Sequence, residues 1–413
     1  MDILRFITAG SVDDGKSTLI GRLLYDSKNI LIDQLEQLER QSKNKEAGGI
    51  DLAYLTDGLR AEREQGITID VAYRYFSTPK RKFIIADAPG HVQYTRNMIT
   101  GASNANLIII LIDARQGVVE QTRRHSIIAS LLNIPHVVIA INKMDLVEYS
   151  QDVFNDIVID YAEVLKSLNL HDVHYIPVSA LNGDNIVEKS EKMGWYEGES
   201  LIHFLENVEI QQDVNITDAR FPVQYVIRPQ TEELHDYRGY AGKIISGIYK
   251  KGDKITVFPS GLKSTIKSVE IGGAHVDEAF AQQSVVIQLE DDIDVSRGDV
   301  IVKNDNQPKL SNELDVLLCW MDNKPLLPGN KYYMQLNSRV VRSVVREIEY
   351  KLNVNTLEKE YHPSTVGLND IVKAKIKTAS EIPYDSYTDL RTNGGAILID
   401  ETSNVTVGAC MIQ

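Results

Sequence analysis

The sequence is poor in cysteine and has no long apolar run. Its two cysteines, Cys319 and Cys410, are too few for a disulfide framework, and no Cys-x-x-Cys pair is present to bind zinc. The apolar run Leu107–Ile112 is far shorter than the roughly 18 residues that indicate a membrane-spanning helix. The first residues lack the charged, apolar and small-residue regions of a signal peptide. We therefore expect a cytoplasmic protein with no membrane partner.

Positive charge is also scarce. The 413 residues include 44 Lys and Arg against 58 Asp and Glu, which gives a formal net charge of −14. Proteins that bind nucleic acid usually carry a basic domain or a basic stripe. No domain-sized segment of this chain is basic, so we expect no nucleic-acid partner. The 26 glycines and 12 prolines are also too few for a collagen-like or largely disordered chain.

The first half of the chain alternates short apolar runs with helical patterns. Apolar runs that end in polar or glycine-containing turns predict five buried strands, at Leu4–Ala9, Phe83–Ala86, Leu107–Ile112, Val137–Ile141 and Tyr175–Val178. The patterns between them predict helices at Lys16–Tyr25, Glu120–Leu132 and Gln151–Leu168. Continuous apolar strands that alternate with helices indicate a mostly parallel sheet covered on both faces. Ligands of such sheets bind at the carboxyl ends of the strands.

The pattern changes after Leu205. A polar stretch precedes strand-like runs that are separated by glycine-containing turns, of which Lys251–Asp253 and Arg297–Asp299 are examples. Short strands at regular spacing indicate a β-barrel or sandwich. A second polar stretch, Lys303–Asn312, precedes another β-rich segment. The predicted fold class is therefore a multidomain α/β + β protein, with an α/β domain at residues 1–209 and β-barrel domains at 210–309 and 310–413.

The first motif with a chemical function follows the first predicted strand. Gly10–Ser17 has the pattern G-x-x-x-x-G-K-[ST] of a phosphate-binding P-loop and opens a predicted helix. Its glycines let backbone amides converge on phosphate oxygens, and the helix N-terminus favours negative charge. Lys16 is predicted to reach the β- and γ-phosphates and to assist catalysis, while Ser17 binds Mg²⁺. The nucleotide-binding residues predicted here are Gly10, Ser11, Val12, Asp13, Asp14, Gly15, Lys16, Ser17 and Thr18.

The segment after the fourth predicted strand selects the base. In Asn142-Lys143-Met144-Asp145, the carboxylate of Asp145 can accept two hydrogen bonds from the ring N–H and the exocyclic amine of guanine. Adenine would leave that buried acceptor unpaired, which is costly. Lys143 is predicted to lie across the base, and Asn142 to connect the base site with the phosphate loop. After the next strand, Ser179, Ala180 and Leu181 complete the predicted GTP site, with the Ala180 amide donating to the guanine carbonyl.

Two further segments are predicted to sense the γ-phosphate. Asp87, at the end of the second predicted strand, would hold Mg²⁺ through water, and the Gly90 amide would meet the γ-phosphate. Thr68 would complete the metal ligands with Ser17 and Asp87. His91 is the candidate for orienting the attacking water, although a histidine beside a glycine can also be purely structural. Contacts that exist only while the γ-phosphate is present would make these segments a switch. Lys80–Lys82 is predicted to be a solvated hairpin tip.

Together these motifs resemble the translation-factor-type GTPases. The phosphate loop, the Thr68 segment, Asp87–His91, Asn142–Asp145 and Ser179–Ala180 occur in that family's order. Within it, the chain is most similar to the large, GTP-binding subunits of heterodimeric sulfate adenylyltransferase. The similar stretches are Gly10–Leu24, Ala61–Phe76, Gln93–Met98, Arg238–Gly242 and Asn404–Gly408.

This resemblance implies a GTPase that uses GTP and Mg²⁺ and acts with a partner. The implied partner is the small ATP-binding catalytic subunit, which makes adenosine 5′-phosphosulfate and pyrophosphate from ATP and sulfate. The alternative is a translation elongation factor that delivers aminoacyl-tRNA, because that class shares the fold and the GTP site. Translation factors of this type usually carry His where this chain has Asp14. Asp14 and the Arg238–Gly242 stretch therefore favour the sulfate adenylyltransferase family.

Overall fold

The computed structural model describes residues 2–27, 52, 71–89, 95–210, 214–229 and 236–413. These residues form two compact units. The first contains residues 1–210 together with 354–356, and the second contains residues 211–353 and 357–413.

The first unit is built on a six-stranded sheet with the strand order β2-β3-β1-β4-β5-β6. Its strands are β1 (Ile3–Ala9), β2 (Ala72–Ser77), β3 (Lys82–Asp87), β4 (Leu107–Asp113), β5 (His136–Asn142) and β6 (Asp172–Pro177). All neighbouring strands are parallel except the edge strand β2, which is antiparallel to β3. The five predicted strands are present, although the last one begins at Asp172 rather than Tyr175.

Helices connect these strands. They are α1 (Lys16–Asp26), α2 (Thr95–Ala102), α3 (Glu120–Leu131), α4 (Gln151–Leu165) and α5 (Leu201–Asn207), with short 3₁₀ turns at Met144–Val147 and Glu191–Met193. In α4, Ser150 caps the first turn, and the buried residues Ile157, Tyr161 and Val164 share one face. The predicted end of α4 at Leu168 was too late, because the Ser167 hydroxyl donates to the Val164 carbonyl and the chain turns there. Within the described parts of the chain, no helix is long and apolar enough to cross a membrane.

The core of the first unit surrounds β4 and β5. Every residue of these two strands is buried, so the sheet is covered on both faces at its centre. Each fully buried Ile, Leu or Val side chain contributes about 1.5–3 kcal/mol relative to exposure. This burial fixes the register of the central strands and hence the positions of the polar residues at their ends.

The second unit contains two closed β-barrels. The first has strands β7 (Arg220–Ile227), β8 (Gly239–Lys243), β9 (Ile248–Lys250), β10 (Lys254–Phe258), β11 (Leu262–Ile271), β12 (Ala274–Val276), β13 (Glu278–Phe280), β14 (Ser284–Leu289) and β15 (Val300–Lys303). Its main sheet runs β10-β15-β7-β8-β14-β11, and pairing of β10 with β11 closes it.

The second barrel has strands β16 (Lys309–Trp320), β17 (Lys331–Leu336), β18 (Arg339–Leu352), β19 (Lys359–Tyr361), β20 (Ile371–Tyr384), β21 (Gly395–Ile399) and β22 (Thr406–Ile412), with a short helix, α6 (Arg391–Gly394). Its sheet runs β17-β21-β22-β16-β20-β18 and closes through β17 and β18. Each barrel has its own apolar core. The predicted fold class is therefore confirmed, while the domain boundaries at 209/210 and 309/310 stay predictions.

A buried ion pair connects elements of the two barrels. The side chain of Arg220, only 1% exposed, donates to both carboxylate oxygens of Asp385 at 2.8 Å. It also donates to the carbonyl of Asn306 at 3.0 Å, and the amide of Asn393 donates to Asp385 at 2.7 Å. The charged groups are thus paired and hydrogen-bonded, which offsets the cost of burial.

The prediction of a solvated tip at Lys80–Lys82 was wrong for its central residue. Arg81 is buried, and its guanidinium donates to both oxygens of Asp2 at 3.0 and 2.8 Å. It also donates to the carbonyls of Leu205 and Val208, at 2.9 and 2.7 Å. These two carbonyls lie at and beyond the C-terminal end of α5, where a helix leaves acceptors without partners. Arg81 therefore joins the β2–β3 hairpin to that helix end.

Candidate nucleotide-binding site

Polar side chains lie at or near the carboxyl ends of four neighbouring parallel strands, β3, β1, β4 and β5. β3 ends at Asp87, β4 at Asp113 and β5 at Asn142. Thr8 of β1 is in register with Asp87, and Asp113 is in register with Asn142. The predicted phosphate loop follows β1, so its residues lie at the same edge of the sheet. This is the edge at which parallel sheets bind their ligands.

The phosphate loop has the backbone that its glycines predict. Gly15 has a φ of +93°, a left-handed conformation that favours glycine, and it immediately precedes α1. A Cβ atom at Gly15 would lie 2.6 Å from the side-chain nitrogen of Asn142, so larger residues are also excluded by space. The N-terminus of α1 is thereby open for an anion, since glycine has no side chain with which to cap it.

Lys16 is folded back onto this loop. Its ammonium donates to the carbonyls of Gly10 at 2.9 Å and Ser11 at 3.0 Å. Burial lowers the pKa of Lys16, and the nearby carboxylates of Asp87 and Asp14 oppose that shift. The ammonium is therefore desolvated and held by two carbonyls of the loop, and its contact with a phosphate stays a prediction.

Asp14 is buried inside the loop. Its carboxylate accepts a hydrogen bond from the backbone N–H of Ser11 at 2.5 Å. Burial raises the pKa of Asp14, and the Ser11 hydrogen bond and the charge of Lys16 act in the opposite direction. Val12 and Asp13 of the same loop are exposed, and Asp13 has a φ of +69°.

The predicted metal ligands are partly described. Asp87 is buried at the end of β3, and its carboxylate accepts from the Thr8 hydroxyl at 3.4 Å. Ser17 and Thr18 lie half-buried in the first turn of α1. A hydroxyl and a carboxylate are the oxygen donors that Mg²⁺ prefers, so Ser17 and Asp87 fit that ion. Thr68, Gly90 and His91 lie outside the described residues.

Asn142 connects the phosphate loop with the predicted base site. It is only 2% exposed, its amide donates to the carbonyl of Asp14 at 2.7 Å, and its side-chain oxygen accepts from the N–H of Ala180 at 3.0 Å. The predicted guanine-binding amide of Ala180 therefore donates to Asn142 in this structure. Asn142 thus links the phosphate loop to the Ala180 segment, and the part that either segment plays in binding a base stays a prediction.

The other base-site residues come together around this link. Lys143 has a φ of +64°, and its ammonium donates to the backbone carbonyl of Asp13. Asp145 accepts a hydrogen bond from the Ser179 hydroxyl at 2.6 Å. The side chain of Leu181 is 62% exposed. The described members of the predicted site thus lie at one edge of the sheet, and their contacts with a nucleotide stay predictions.

Sequence analysis missed two residues that hold these groups in place. The guanidinium of Arg22, on α1, donates to the carbonyls of Ala180, at 3.1 Å, and Leu181. Asp113, at the end of β4, accepts from Lys143 at 2.9 Å and from Arg115. Burial raises the pKa of Asp113, but hydrogen bonds from Arg115 and Lys143 outweigh it and hold that pKa well below its usual range. The signal for Asp113 was its place directly after a buried strand, which Asp87 and Asn142 share.

Comparison with known protein families agrees with this geometry. Residues 1–221 match the family described as the elongation factor Tu GTP binding domain. Residues 313–413 match the family described as GTP-eEF1A C-terminal domain-like. The fold and the site therefore define a protein of the translation-factor class of GTPases.

Similarity to curated relatives identifies the family within this class of GTPases. The chain is 53% identical over 413 residues to sulfate adenylyltransferase subunit 1 of Bacteroides fragilis (strain YCH46), which covers 100% of this chain and 86% of that protein. It belongs to the sulfate adenylyltransferase subunit 1 family, as its motifs predicted. It is also 54% identical over 412 residues to the subunit 1 of Teredinibacter turnerae, covering 99% of this chain and 87% of that one. The bifunctional enzyme CysN/CysC of Mycobacterium tuberculosis (strain ATCC 25618 / H37Rv) is 51% identical, covering 99% of this chain and 67% of the enzyme.

Proposed function

We propose that this chain is the GTP-hydrolysing subunit of a cytoplasmic sulfate adenylyltransferase. GTP hydrolysis here would drive a partner subunit that converts ATP and sulfate to adenosine 5′-phosphosulfate and pyrophosphate. The observation that supports the proposal is the Asn142 link, which joins the predicted phosphate loop to the segment predicted to bind guanine. It occurs in a chain that is 53% identical to a sulfate adenylyltransferase subunit 1.

Base selection rests on Asp145 and its neighbours. The carboxylate of Asp145 is held by the Ser179 hydroxyl at 2.6 Å and would accept the ring N–H and exocyclic amine of guanine. A base with an acceptor at that ring position leaves the carboxylate unpaired, and a site built to pair such groups discriminates strongly. The stem of Lys143 would cover the face of the base.

Phosphate binding rests on the loop and on α1. Backbone amides of Gly10–Ser17 and the ammonium of Lys16 would hold the β- and γ-phosphates. Ser17 and Asp87, with Thr68, would hold Mg²⁺, which when bound neutralises charge on the phosphate oxygens. We further propose that the Gly90 amide contacts the γ-phosphate and that His91 orients the attacking water.

Coupling to the partner needs two conformations that GTP and GDP populate differently. Forming the sulfate–phosphate anhydride from ATP and sulfate is strongly uphill, so it requires an external source of free energy. A nucleotide can shift a conformational equilibrium only by its difference in affinity for the two states. Contacts to the γ-phosphate from Thr68 and Gly90 would supply that difference in this chain.

The first experiment changes base specificity. Asp145→Asn should weaken GTP binding by about 100-fold or more, since it replaces a double acceptor with one that also donates. The same variant should bind XTP better than the wild type does, because xanthine has a carbonyl where guanine has its amine. Titration with fluorescent GTP and XTP measures both effects, and Asp152→Asn on the exposed start of α4 is the matched control. Unchanged preference for GTP in the Asp145 variant would refute the assignment.

The second experiment tests the coupling itself. The chain is purified with the small subunit that accompanies it, and pyrophosphate release from ATP is measured with and without sulfate and GTP. We expect release to require both. In the complex containing Asp145→Asn, XTP should replace GTP, which assigns the driving nucleotide to this chain. Pyrophosphate release that does not depend on GTP would refute the proposal. If aminoacyl-tRNA co-purified with the chain and no small subunit did, the result would favour a translation factor.

A further inference from the structure

The end of β4 carries a buried carboxylate that belongs to none of the nucleotide-binding motifs. Asp113 is only 1% exposed, yet it lies at the same sheet edge as the proposed GTP site and contacts one of its residues. We propose that Asp113 is a positioning residue for GTP: it holds the ammonium of Lys143 so that the lysine stem covers the base. This inference rests on the proposed function, since it presumes that Lys143 lies across a guanine.

Four hydrogen bonds hold the side chain of Asp113 in one orientation. One oxygen accepts from the ammonium of Lys143 at 2.9 Å and from the guanidinium of Arg115 at 2.7 Å. The other accepts from the Arg115 backbone N–H and from its side-chain Nε, both at 3.0 Å. A carboxylate with four donors and almost no exposure cannot rotate without losing several charge-assisted hydrogen bonds.

The side chain of Lys143 starts at the end of β5 and reaches both the end of β4 and the phosphate loop. Its backbone follows β5 in a left-handed conformation, and its ammonium is shared by Asp113 and the carbonyl of Asp13. Without Asp113, the carbonyl would be the only acceptor described for this ammonium. A lysine side chain has large rotamer freedom, so a second, charged partner is what confines the stem.

The charge state of Asp113 suits this role. Burial alone would favour a neutral carboxyl, but the hydrogen bonds from Arg115 and Lys143 keep its pKa well below the usual range. These two cations therefore favour the ionised form of Asp113. Arg115, whose side chain is 48% exposed, supplies a second cation that neutralises the carboxylate without entering the phosphate loop.

This role makes a prediction that a purely structural role does not. If Asp113 acts through Lys143, its effect on nucleotide affinity must disappear when Lys143 is absent. Two residues that contact each other in one network show such non-additivity, whereas independent residues have additive effects. Replacing Asp113 must also weaken the binding of guanine and xanthine nucleotides equally, because the proposed contact of Lys143 is with the face of the base and these bases differ at their edge.

The experiment is a double-mutant cycle on the full chain, with affinity for fluorescent GDP as the readout. Asp113→Asn keeps the shape and loses the charge, and we expect it to weaken binding by about tenfold. Lys143→Ala should weaken binding at least as much, and the double variant should bind no more weakly than Lys143→Ala alone. Asp113→Glu, which restores the charge, should bind better than Asp113→Asn. The matched control is Asp172→Asn. This carboxylate pairs with His136 and His174 at the amino-terminal ends of β5 and β6, away from the proposed site.

Each outcome of the double-mutant cycle supports or contradicts the proposed role of Asp113. An effect of Asp113→Asn that is equally large with and without Lys143 would overturn the inference, and so would unchanged affinity in a folded variant. In the Asp145→Asn background the same loss should appear with fluorescent XDP, and its absence there would also count against the role. If the wild type itself bound no guanine nucleotide, the proposed function would fail and this inference with it. Thermal unfolding of the nucleotide-free variants shows that they are folded, and Asp113→Ala, which also removes the charge, replaces Asp113→Asn in the cycle if the latter is not.

Discussion

Replacing Asn142 with alanine should destabilise the first unit even when no nucleotide is present. The side chain is 2% exposed and makes two hydrogen bonds, donating to Asp14 at 2.7 Å and accepting from Ala180 at 3.0 Å. Both partners are backbone groups in a protected site. Truncation therefore leaves a carbonyl and an N–H without their partners, which is more costly than losing the bonds alone.

The magnitude follows from those two groups. A buried backbone group left unsatisfied costs about 1–3 kcal/mol, so Asn142→Ala should lower the free energy of unfolding by about 2–6 kcal/mol. Domains are stable by only about 5–15 kcal/mol, so this is a large fraction. Asn142→Asp should not rescue it, because a carboxylate accepts from Ala180 but cannot donate to the Asp14 carbonyl.

The assay can be confined to the first unit. Of the two tryptophans, Trp195 lies in the first unit and Trp320 in the second. In a Trp320→Phe background, Trp195 fluorescence during urea unfolding reports on the first unit. Its indole N–H donates to the Tyr149 carbonyl at 2.9 Å and its ring packs against Phe154, so unfolding changes its surroundings.

A surface asparagine supplies the control for this measurement. Asn155→Ala, on the exposed face of α4, should change the stability by no more than about 0.5 kcal/mol. If Asn142→Ala were also within that range of the wild type, then the two hydrogen bonds would not hold the phosphate loop and the Ala180 segment together, and the reasoning would be refuted.

Two further predictions concern buried charges. Arg220→Met should lower the stability of the second unit by about 3–5 kcal/mol, because the carboxylate of Asp385 loses the guanidinium that donates to both of its oxygens. An unchanged urea midpoint, measured by Trp320 fluorescence, would contradict this. Asp14→Asn should stabilise the nucleotide-free protein at neutral pH, since burial raises the folded pKa of Asp14 above 3.8, so the ionised form is disfavoured in the fold. The native carboxyl is most stabilising below its unfolded pKa and loses stability as pH rises through the folded pKa. The stability gained by Asp14→Asn over the wild type should therefore shrink as the pH falls toward 4. Urea unfolding of both proteins at several pH values measures this difference, and a difference that is constant or negative would contradict the prediction.

Much of the fold could be predicted because the signals were local. The central strands at Leu107–Asp113 and His136–Asn142 are apolar along their length, and strands buried on both faces need that composition. The loop at Gly10–Ser17 was recognisable from its motif, in which Gly15 has a backbone conformation that favours glycine. Boundaries were less certain, as the early start of β6 at Asp172 and the early end of α4 at Leu165 show.

The candidate site was predicted as a set of segments, without the contacts that hold them. Arg81 had the sequence context of a solvated hairpin, yet it is buried against carbonyls at the end of α5. Arg22 and Asp113 had no motif to mark them, although both contact residues of the base site. Each of these side chains could be placed only once its partners were known.

The sequence by itself determined the order of the strands and helices and the two kinds of unit, and it predicted the chemistry of the phosphate loop and base segments. These properties depend on periodicity and on residue type over short stretches, which a chain carries before it folds. Only the tertiary structure decided which charges are buried and what they hold. Arg22 and Ala180 are 158 residues apart and Arg81 and Asp2 are 79 apart, so their pairing depends on how the helices and strands of the first unit pack together. Burial then makes these contacts costly to break, because a charge that is removed from water and has lost its partner is strongly destabilising.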